Sequence, residues 1–582
     1  MNFKKLWHLL SKRRHKQFYL LIILIILASL MEVISVGAIL PFLGVLIDPE
    51  KVYQFSMMRP IIEILGITAP NQIILPITII FITAVFLAGL IRLLLLYAIT
   101  KFSYSTGADL SIEIYRRTLY QDYSVHVSRN SSAIINGVIT QTNIVIGNII
   151  NPVLIFISSS VLITAILLAL FAIDPFVASV SFMGFGLIYL LVIYYTKKKL
   201  IVNSEVIAEQ STQMIKALQE GLGGIRDVLI DGSQKFYSKL YRNADLPLRM
   251  ASASNVFING SPRYVIEAVG MILIACLAYG MSLREGGLNE AIPILGALAL
   301  GAQRLLPALQ QAYGSYANIK AANASFKDVL GLLEQPLPNY ARDGMPEPIS
   351  FKKEIRLNSV SFNYKKDSPL ILDKISLTIE KGSRIGFIGE TGSGKSTLLD
   401  VIMGLLSPTQ GSMEIDGQPI NVENNRTWQA HIAHVPQNIH LSDSTIEENI
   451  AFGVPKNEIN HQRVEGAAKQ AKISESIKEW KKGYQSYVGE NGVRLSGGQR
   501  QRIGIARALY KKADVLIFDE ATSALDNATE HAVMDSIESL GRNLTILIIA
   551  HRITTLEGCD QIIRLSNGAI VKIGTYEEMS QY

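Results

Sequence analysis

The chain has 582 residues, 49% of them hydrophobic, with a formal net charge of +6 and a mean hydropathy of +0.27. That length exceeds one domain, and that hydropathy points away from an ordinary soluble protein. The charge is small for the length and makes no case for a nucleic-acid partner. Its two cysteines, Cys276 and Cys559, lie in unlike surroundings, so no disulfide is expected.

Apolar residues concentrate before about residue 325. A helix that crosses a bilayer needs roughly 20 mostly apolar residues. Six stretches qualify: about 18–47, 73–100, 144–172, 176–196, 255–283 and 289–315. The first follows "KKLWHLLSKRRHK", is too long for a signal-peptide core and lacks a small-residue cleavage site, so it reads as a retained helix. Basic flanks set the orientation. Lys4, Lys5, Lys12, Arg13, Arg14 and Lys16 precede the first span, and Lys197 to Lys199 follow the fourth. The link at 173–175 carries no cation, and the link between spans five and six carries only Arg284. Both termini are therefore expected in the cytoplasm, with 101–143 and 197–254 as helices extended beyond the bilayer on that side. The outer loop 48–72 includes an apolar segment, about 56–66, suited to a short helix on the membrane surface.

Ionisable side chains within spans face a cavity or each other. Here they are Glu32, Arg92, Arg263, Glu267 and Arg304. Arg263 and Glu267 have the i, i+4 spacing of a helical ion pair. Arg92 can instead extend its head to the interface, and Arg304, close to Pro307, can be structural. The functional alternative is a ring of guanidiniums around a central cavity, since arginine keeps its charge when buried and matches phosphate geometry.

Beyond the spans, a linker at 326–350 leads to a second domain at 351–582. The stretch "SRIGFIGETGSGKSTLLDVIMGLL" (383–406) reads as strand, glycine loop and helix, and fits G-x-x-x-x-G-K-[ST] at Gly389, Gly394, Lys395 and Ser396. In such a loop, here Gly389, Glu390, Thr391, Gly392, Ser393 and Gly394, backbone N–H groups close around phosphate oxygens, helped by the positive end of the helix beginning at Lys395, Ser396 and Thr397. Lys395 reaches the β- and γ-phosphates, and Ser396 ligates Mg²⁺. In "ADVLIFDEATSALD" (513–526) a buried strand ends at Asp519, a second Mg²⁺ ligand, and Glu520 stands where a general base would activate water.

Between them lies "RLSGGQRQRIGIARAL" (494–509), whose LSGGQ resembles the signature of ATP-binding cassette (ABC) proteins. The resemblance covers the chain and implies a half-size ABC exporter: an α-helical six-span transmembrane domain (1–325) followed by an α/β P-loop nucleotide-binding domain. It implies that Tyr364 in "VSFNY" stacks on adenine, that Gln437 in "VPQN" sits by Mg²⁺, and that His551 in "IIAHR" contacts the γ-phosphate. Asp526 matches the D-loop aspartate, and "VGENG" (488–492) resembles the loop ahead of the signature. It further implies that Ser496, Gly497, Gly498 and Gln499 close over ATP held by a second chain. No motif is degenerate, so a homodimer with two competent sites is the simplest reading. The expected cofactors are ATP and Mg²⁺. Segments about 119–126 and 223–230 are the expected points where membrane helices dock on cassettes.

A narrower resemblance, to bacterial lipid-linked oligosaccharide flippases, rests on "LMEVISVGAILPF" (30–42), "LIRLLLL" around Arg92, "PRYVIE" (262–267) and "QRLLP" (303–307). It implies an arginine belt of Arg92, Arg263 and Arg304 for a polyprenyl-pyrophosphate head, an external helix at about 56–66 for the lipid tail, and a place in the cytoplasmic membrane. The alternatives are export of another amphiphile, such as a lipid A precursor, glycolipid, peptide or drug, and an ATP-gated channel. Intact Glu520 and His551 argue for turnover over gating.

Overall fold

The computed structural model describes residues 3–47, 49–54, 68–173, 175–282, 305–344, 346–365, 368–520, 526–538, 543–550 and 552–580. The chain forms two compact units: Met1–Gln121 with Arg129–Pro336, and Asp122–Ser128 with Leu337–Tyr582.

The first unit is helical. Among the described residues, three helical segments are long and apolar enough to cross a membrane: Lys12–Ser35, Pro70–Leu119 and Ser131–Ala169. The fourth and fifth expected spans fall within the helices Pro175–Gly223 and Gln234–Ser282. Of the sixth, 289–304 lies outside the described residues, and a helix runs over 305–321. The first expected span, 18–47, is not continuous. Helix Lys12–Gly37 stops, a turn intervenes at Ala38, and a second helix covers Ile39–Ile47. Pro41 fits the first turn of that second piece, where a missing N–H breaks no intrahelical bond. The segment 56–66 lies outside the described residues.

The helix Ile74–Leu119 has 46 residues, so at 1.5 Å per residue it runs about 70 Å, more than twice a roughly 30 Å hydrocarbon core. The expected extensions at 101–143 and 197–254 are indeed helical. Two kinds of surface mark the change of surroundings along these rods. Phe86, Leu93 and Leu96 stand exposed within the span, a surface that only lipid or another helix can satisfy. Farther along, polar side chains knit neighbouring helices: Asn136 donates to Thr212 at 2.8 Å, Ser211 donates to Asn136 at 2.6 Å, and Asn203 donates to Asn255 at 2.7 Å. A buried cluster of Leu110, Ile114, Val145, Ile149 and Phe326 closes this part.

The second unit holds two sheets. Its strands are β1 (Glu354–Phe362), β2 (Leu372–Glu380), β3 (Arg384–Ile388), β4 (Gln410–Ile415), β5 (Gln418–Pro419), β6 (Ile432–Val435), β7 (Val515–Asp519), β8 (Thr545–Ile549), β9 (Gln561–Ser566) and β10 (Ala569–Gly574). An antiparallel sheet has the order β2-β1-β4-β5, and the larger sheet has the order β10-β9-β3-β8-β7-β6. In the larger sheet β9, β3, β8, β7 and β6 run parallel. Strands covered on both faces read as unbroken apolar runs, and "VLIF" in β7 and "TILII" in β8 do so, every residue buried. Parallel strands end on one edge, and in open α/β sheets ligands bind beyond those ends.

Trp428 pins the two sheets' shared core. It is fully buried, meets Phe351 edge-on at 5.3 Å, and donates its indole N–H to the Ile402 carbonyl at 2.7 Å. Trp428→Ala removes that volume and orphans the carbonyl. It should cost about 3–5 kcal/mol, read as a lower melting temperature of the second unit by near-UV circular dichroism. An unchanged melt would refute this assignment.

Candidate functional site

The glycine loop joins β3 to the helix Lys395–Ile402. Two of its glycines are dictated by backbone geometry. At Gly389 a Cβ would lie 2.3 Å from the Leu565 carbonyl oxygen, and Gly394 caps the helix at φ +98° with the Ile371 carbonyl 2.8 Å from where a Cβ would stand. Glu390, Thr391 and Gly392 are exposed, whereas Ser393, Lys395 and Thr397 are buried. The Lys395 ammonium donates to the carbonyls of Gly389 and Glu390, each at 2.8 Å, and so holds the loop open around itself. Burial lowers its pKa, and the nearby carboxylates of Glu520 and Asp519 oppose that shift.

β7 delivers those two carboxylates. Asp519 accepts a hydrogen bond from the Ser396 hydroxyl; burial raises its pKa, and the Glu520 charge adds to the rise. Glu520 follows at φ +52°, a left-handed backbone that costs a non-glycine residue of order 1–3 kcal/mol. Its N–H donates to the Ile549 carbonyl of β8 at 3.1 Å, which holds the turn in place. Its carboxylate accepts a 2.6 Å hydrogen bond from the Gln437 amide, just beyond β6. Lys395, Ser396, Gln437, Asp519 and Glu520 thus meet at one edge of the sheet. His551, two residues past β8, lies outside the described residues.

The oxygens of Ser396, Asp519 and Gln437 are hard donors of the kind Mg²⁺ takes. Among the described residues no group of three His, Cys, Asp or Glu could hold a metal.

Tyr364 is half exposed, sits edge-on to Phe362 at 5.0 Å, and places its hydroxyl 3.4 Å from that of Thr397. This ties the aromatic to the loop's own helix while leaving the ring available for stacking. The signature forms a helix start. Ser496 and Gln499 make a capping box, with Ser496 accepting from the Gln499 N–H at 3.2 Å and Gln499 accepting from the Ser496 N–H at 2.9 Å. Gly497 and Gly498 open the helix Gly497–Lys511, whose positive end is suited to an anion. Asp526 accepts from the N–H and hydroxyl of Thr529 at 2.9 and 2.7 Å; those bonds, and the charge of Arg502, lower its pKa.

Two groups near the loop carry no motif of their own. Asp400, on the loop's helix, has its pKa raised to about 6 by burial and by the Asp519 charge. Tyr123 begins the short helix Tyr123–Ser128, which belongs to the second unit although it lies between membrane helices in the chain. Burial raises its pKa, and the neighbouring Asp400 and Tyr364 add to this. The expected docking segment 119–126 therefore overlaps residues that pack with the nucleotide-binding unit. The other, 223–230, forms the helix Ile225–Ile230 of the first unit, with Ile225, Leu229 and Ile230 exposed.

Comparison with known proteins agrees with this geometry. Residues 372–523 match the model of the ABC transporter family, and 18–294 match that of the ABC transporter transmembrane region. An ATP-dependent lipid A-core flippase of Saccharophagus degradans is 30% identical over 476 residues, covering 81% of this chain and 79% of that one. The chain belongs to the ABC transporter family. The lipid A-core flippase of Chromohalobacter salexigens is 32% identical over 390 residues, or 67% of this chain and 66% of that one. The heterocyst differentiation ATP-binding protein HepA of a Nostoc species is 30% identical over 376 residues, or 64% and 60%. The solved structure of a bacterial Atm1-family ABC exporter with ATP bound shares the fold, with a TM-score of 0.80 at 21% identity over 98% of this chain and 96% of that one. The protein is thus an ABC exporter: a membrane protein that binds ATP and couples its hydrolysis to transport.

In the exporter's membrane unit, Arg92 is answered by Glu32. Its guanidinium donates to that carboxylate, which is 4% exposed, while the arginine remains 54% exposed. Arg263 pairs with Glu267 at 2.8 Å on one exposed helix face. Arg304 lies outside the described residues. Within the expected spans, the described residues thus present these two arginine–glutamate pairs.

The half-buried Asp400 sets a pH test. Its native pKa of about 6 stands above the ordinary 3.8, so its stabilising contribution is complete below about pH 4 and is lost as pH rises through about 6. In nucleotide-free protein, the melting temperature of Asp400→Asn minus that of the parent should be near zero at pH 4 and rise by pH 7.5. A difference that does not change with pH would refute the assignment.

Proposed function

We propose that this exporter is a flippase for an amphiphile with an anionic head on a lipid tail, and that its specific substrate is a polyprenyl-pyrophosphate-linked oligosaccharide. The observation that carries the reading is the half-exposed guanidinium of Arg92. Buried Glu32 cancels one charge and orients the group, and the half-exposed guanidinium presents the planar donor geometry that phosphate matches. Arg263 and Arg304 would complete a belt. The lipid A-core flippases among the relatives support a lipid-linked substrate and favour a second reading, transport of a lipid A-type molecule.

At the nucleotide site, the loop N–H groups and Lys395 would hold the phosphates while Tyr364 stacks on adenine. Ser396, Asp519 and Gln437 would hold Mg²⁺, which neutralises phosphate charge when bound. Glu520, kept in place by its backbone bond to β8 and by Gln437, would accept the proton of the attacking water. His551 would contact the γ-phosphate. The N-terminus of the signature helix, with Ser496, Gly497, Gly498 and Gln499, would close over ATP held by a second copy, and Asp526 would lie at that junction. A homodimer is supported by one loop and one signature per chain and by the exposed apolar tip Ile225, Leu229 and Ile230, which a second cassette would cover. The basic flanks support cytoplasmic termini, and the relatives favour the inner membrane.

Glu520→Gln should lower ATP hydrolysis about 10²–10⁴-fold with nucleotide binding kept, measured by phosphate release beside a filter-binding assay; hydrolysis at the parent rate would remove Glu520 from the base role. Proteoliposomes would then follow ATP-driven movement of a lipid-pyrophosphate oligosaccharide, a lipid A-type glycolipid and a plain phospholipid. The parent should move the first, and Arg92→Ala with Arg304→Ala should stop it while ATP binding persists. Selective movement of the lipid A-type molecule would install the second reading, and normal flipping by the double variant would end the arginine role.

A further inference from the structure

We infer that the first unit carries a binding site for an anionic phospholipid of the surrounding bilayer, with its tail in an aromatic cavity beside the N-terminal helix and its phosphate on the basic cluster at 4–16. The site is separate from both the nucleotide and the arginine pairs.

A cavity of about 510 Å³ lies between the helix Phe3–Leu9, the start of the first span, the helix Ile74–Leu119 and the third span. That volume falls in the roughly 300–1,000 Å³ range of small-molecule sites. Phe3, Trp7, Phe18, Phe102 and Leu154 supply an apolar wall, and Lys4 is the one cation among the lining residues. Among the described residues no carboxylate lines it. The surroundings are those of a membrane boundary. Trp7 lies on the helix just before the first span and Tyr19 near the span's start, and Tyr97 accepts a hydrogen bond from Lys101 at 3.2 Å, the aromatic and basic side chains typical of the headgroup level.

Two observations single out a lipid with a charged head. The first is Thr106, in the cavity wall. It is 1% exposed, and its hydroxyl has no hydrogen-bond partner among the described residues. One turn earlier on the same helix, Ser103 satisfies itself on the Ile99 carbonyl at 2.8 Å, so the helix offers that solution and Thr106 does not take it. A buried donor without an acceptor is costly, and the ester oxygen of a glycerolipid is an acceptor carried next to an apolar tail. The second is charge. Arg14 is committed to Asp109 at 2.7 Å and Lys5 to Glu334 at 2.6 Å. Lys4, Lys12, Arg13 and Lys16 are exposed and have no ion-pair partner among the described residues. Lys4 lines the cavity, and Lys12, Arg13 and Lys16 lie in the segment between the lining residues Leu10 and Phe18; such cations complement a lipid phosphate, and juxtamembrane basic clusters draw anionic lipids.

Trp7 makes the site measurable. The chain has three tryptophans; Trp428 and Trp480 belong to the second unit. The full-length protein would be placed in phosphatidylcholine nanodiscs with a small, equal mole fraction of brominated phosphatidylglycerol or brominated phosphatidylcholine. A Trp7→Phe variant supplies the background from the other two rings. Brominated phosphatidylglycerol should quench Trp7 more strongly than brominated phosphatidylcholine. The difference should disappear in Lys4→Gln/Lys12→Gln/Arg13→Gln/Lys16→Gln and shrink at high salt. Filling the cavity with Thr106→Phe should lower the phosphatidylglycerol signal to the phosphatidylcholine level. Equal quenching by the two lipids in the parent protein would overturn the proposal. So would a phosphatidylglycerol preference that survives removal of the four charges, or one that survives a folded Thr106→Phe.

Discussion

Parallel strands β3, β8, β7 and β6 end on one edge of the larger sheet, and the glycine loop, Gln437, Asp519 and Glu520 hang from that edge. The constraint is geometric. Adjacent parallel strands hold their ends about 4.8 Å apart, so residues far apart in sequence become neighbours. Gly389 follows β3, Gln437 follows β6, and Asp519 and Glu520 close β7. The left-handed turn at Glu520 is tolerated because its N–H is fixed to β8 and its carboxylate to Gln437. Lys395, without a nucleotide phosphate, turns on the loop's own carbonyls. Binding would therefore exchange one set of acceptors for another and need not create a charged site from nothing.

The membrane unit follows a different rule. A bilayer offers no water to a stray charge, so the described intramembrane arginines are paired: Arg92 with Glu32 between two helices, and Arg263 with Glu267 along one. The first pair bridges positions 60 residues apart. Beyond the hydrocarbon the same helices continue as rods and change their means of cohesion, from apolar contact to amide and hydroxyl bonds such as Asn136 with Thr212 and Ser211. A rod of about 70 Å that is stiffly held at its far end can carry a displacement to its membrane half.

The short helix Tyr123–Ser128 shows where such a displacement could begin. It is a turn between two membrane helices, yet it packs with the nucleotide-binding residues, with Tyr123 beside Asp400 and Tyr364. Tyr364 is itself joined to the loop's helix through Thr397. Tyr364, the glycine loop's helix and this turn therefore share one patch of structure.

By itself the sequence determined the parts whose chemistry is local. The glycine loop, Lys395, Asp519, Glu520 and LSGGQ are short motifs in which each residue's expected role follows from its neighbours, and apolar length alone marks candidate membrane helices. It also placed Arg263 and Glu267 one helical turn apart, so their pairing was legible. What depends on contacts between distant segments was not. Arg92 is answered by Glu32 only because two helices cross at that level, and the break after Gly37 interrupts a run that hydropathy reads as continuous. The raised pKa of Asp400, the left-handed backbone of Glu520 and the unpartnered hydroxyl of Thr106 carry no sequence signature. Each arises from what the fold packs around the residue, and only the tertiary structure decides which groups lose water and which gain a partner.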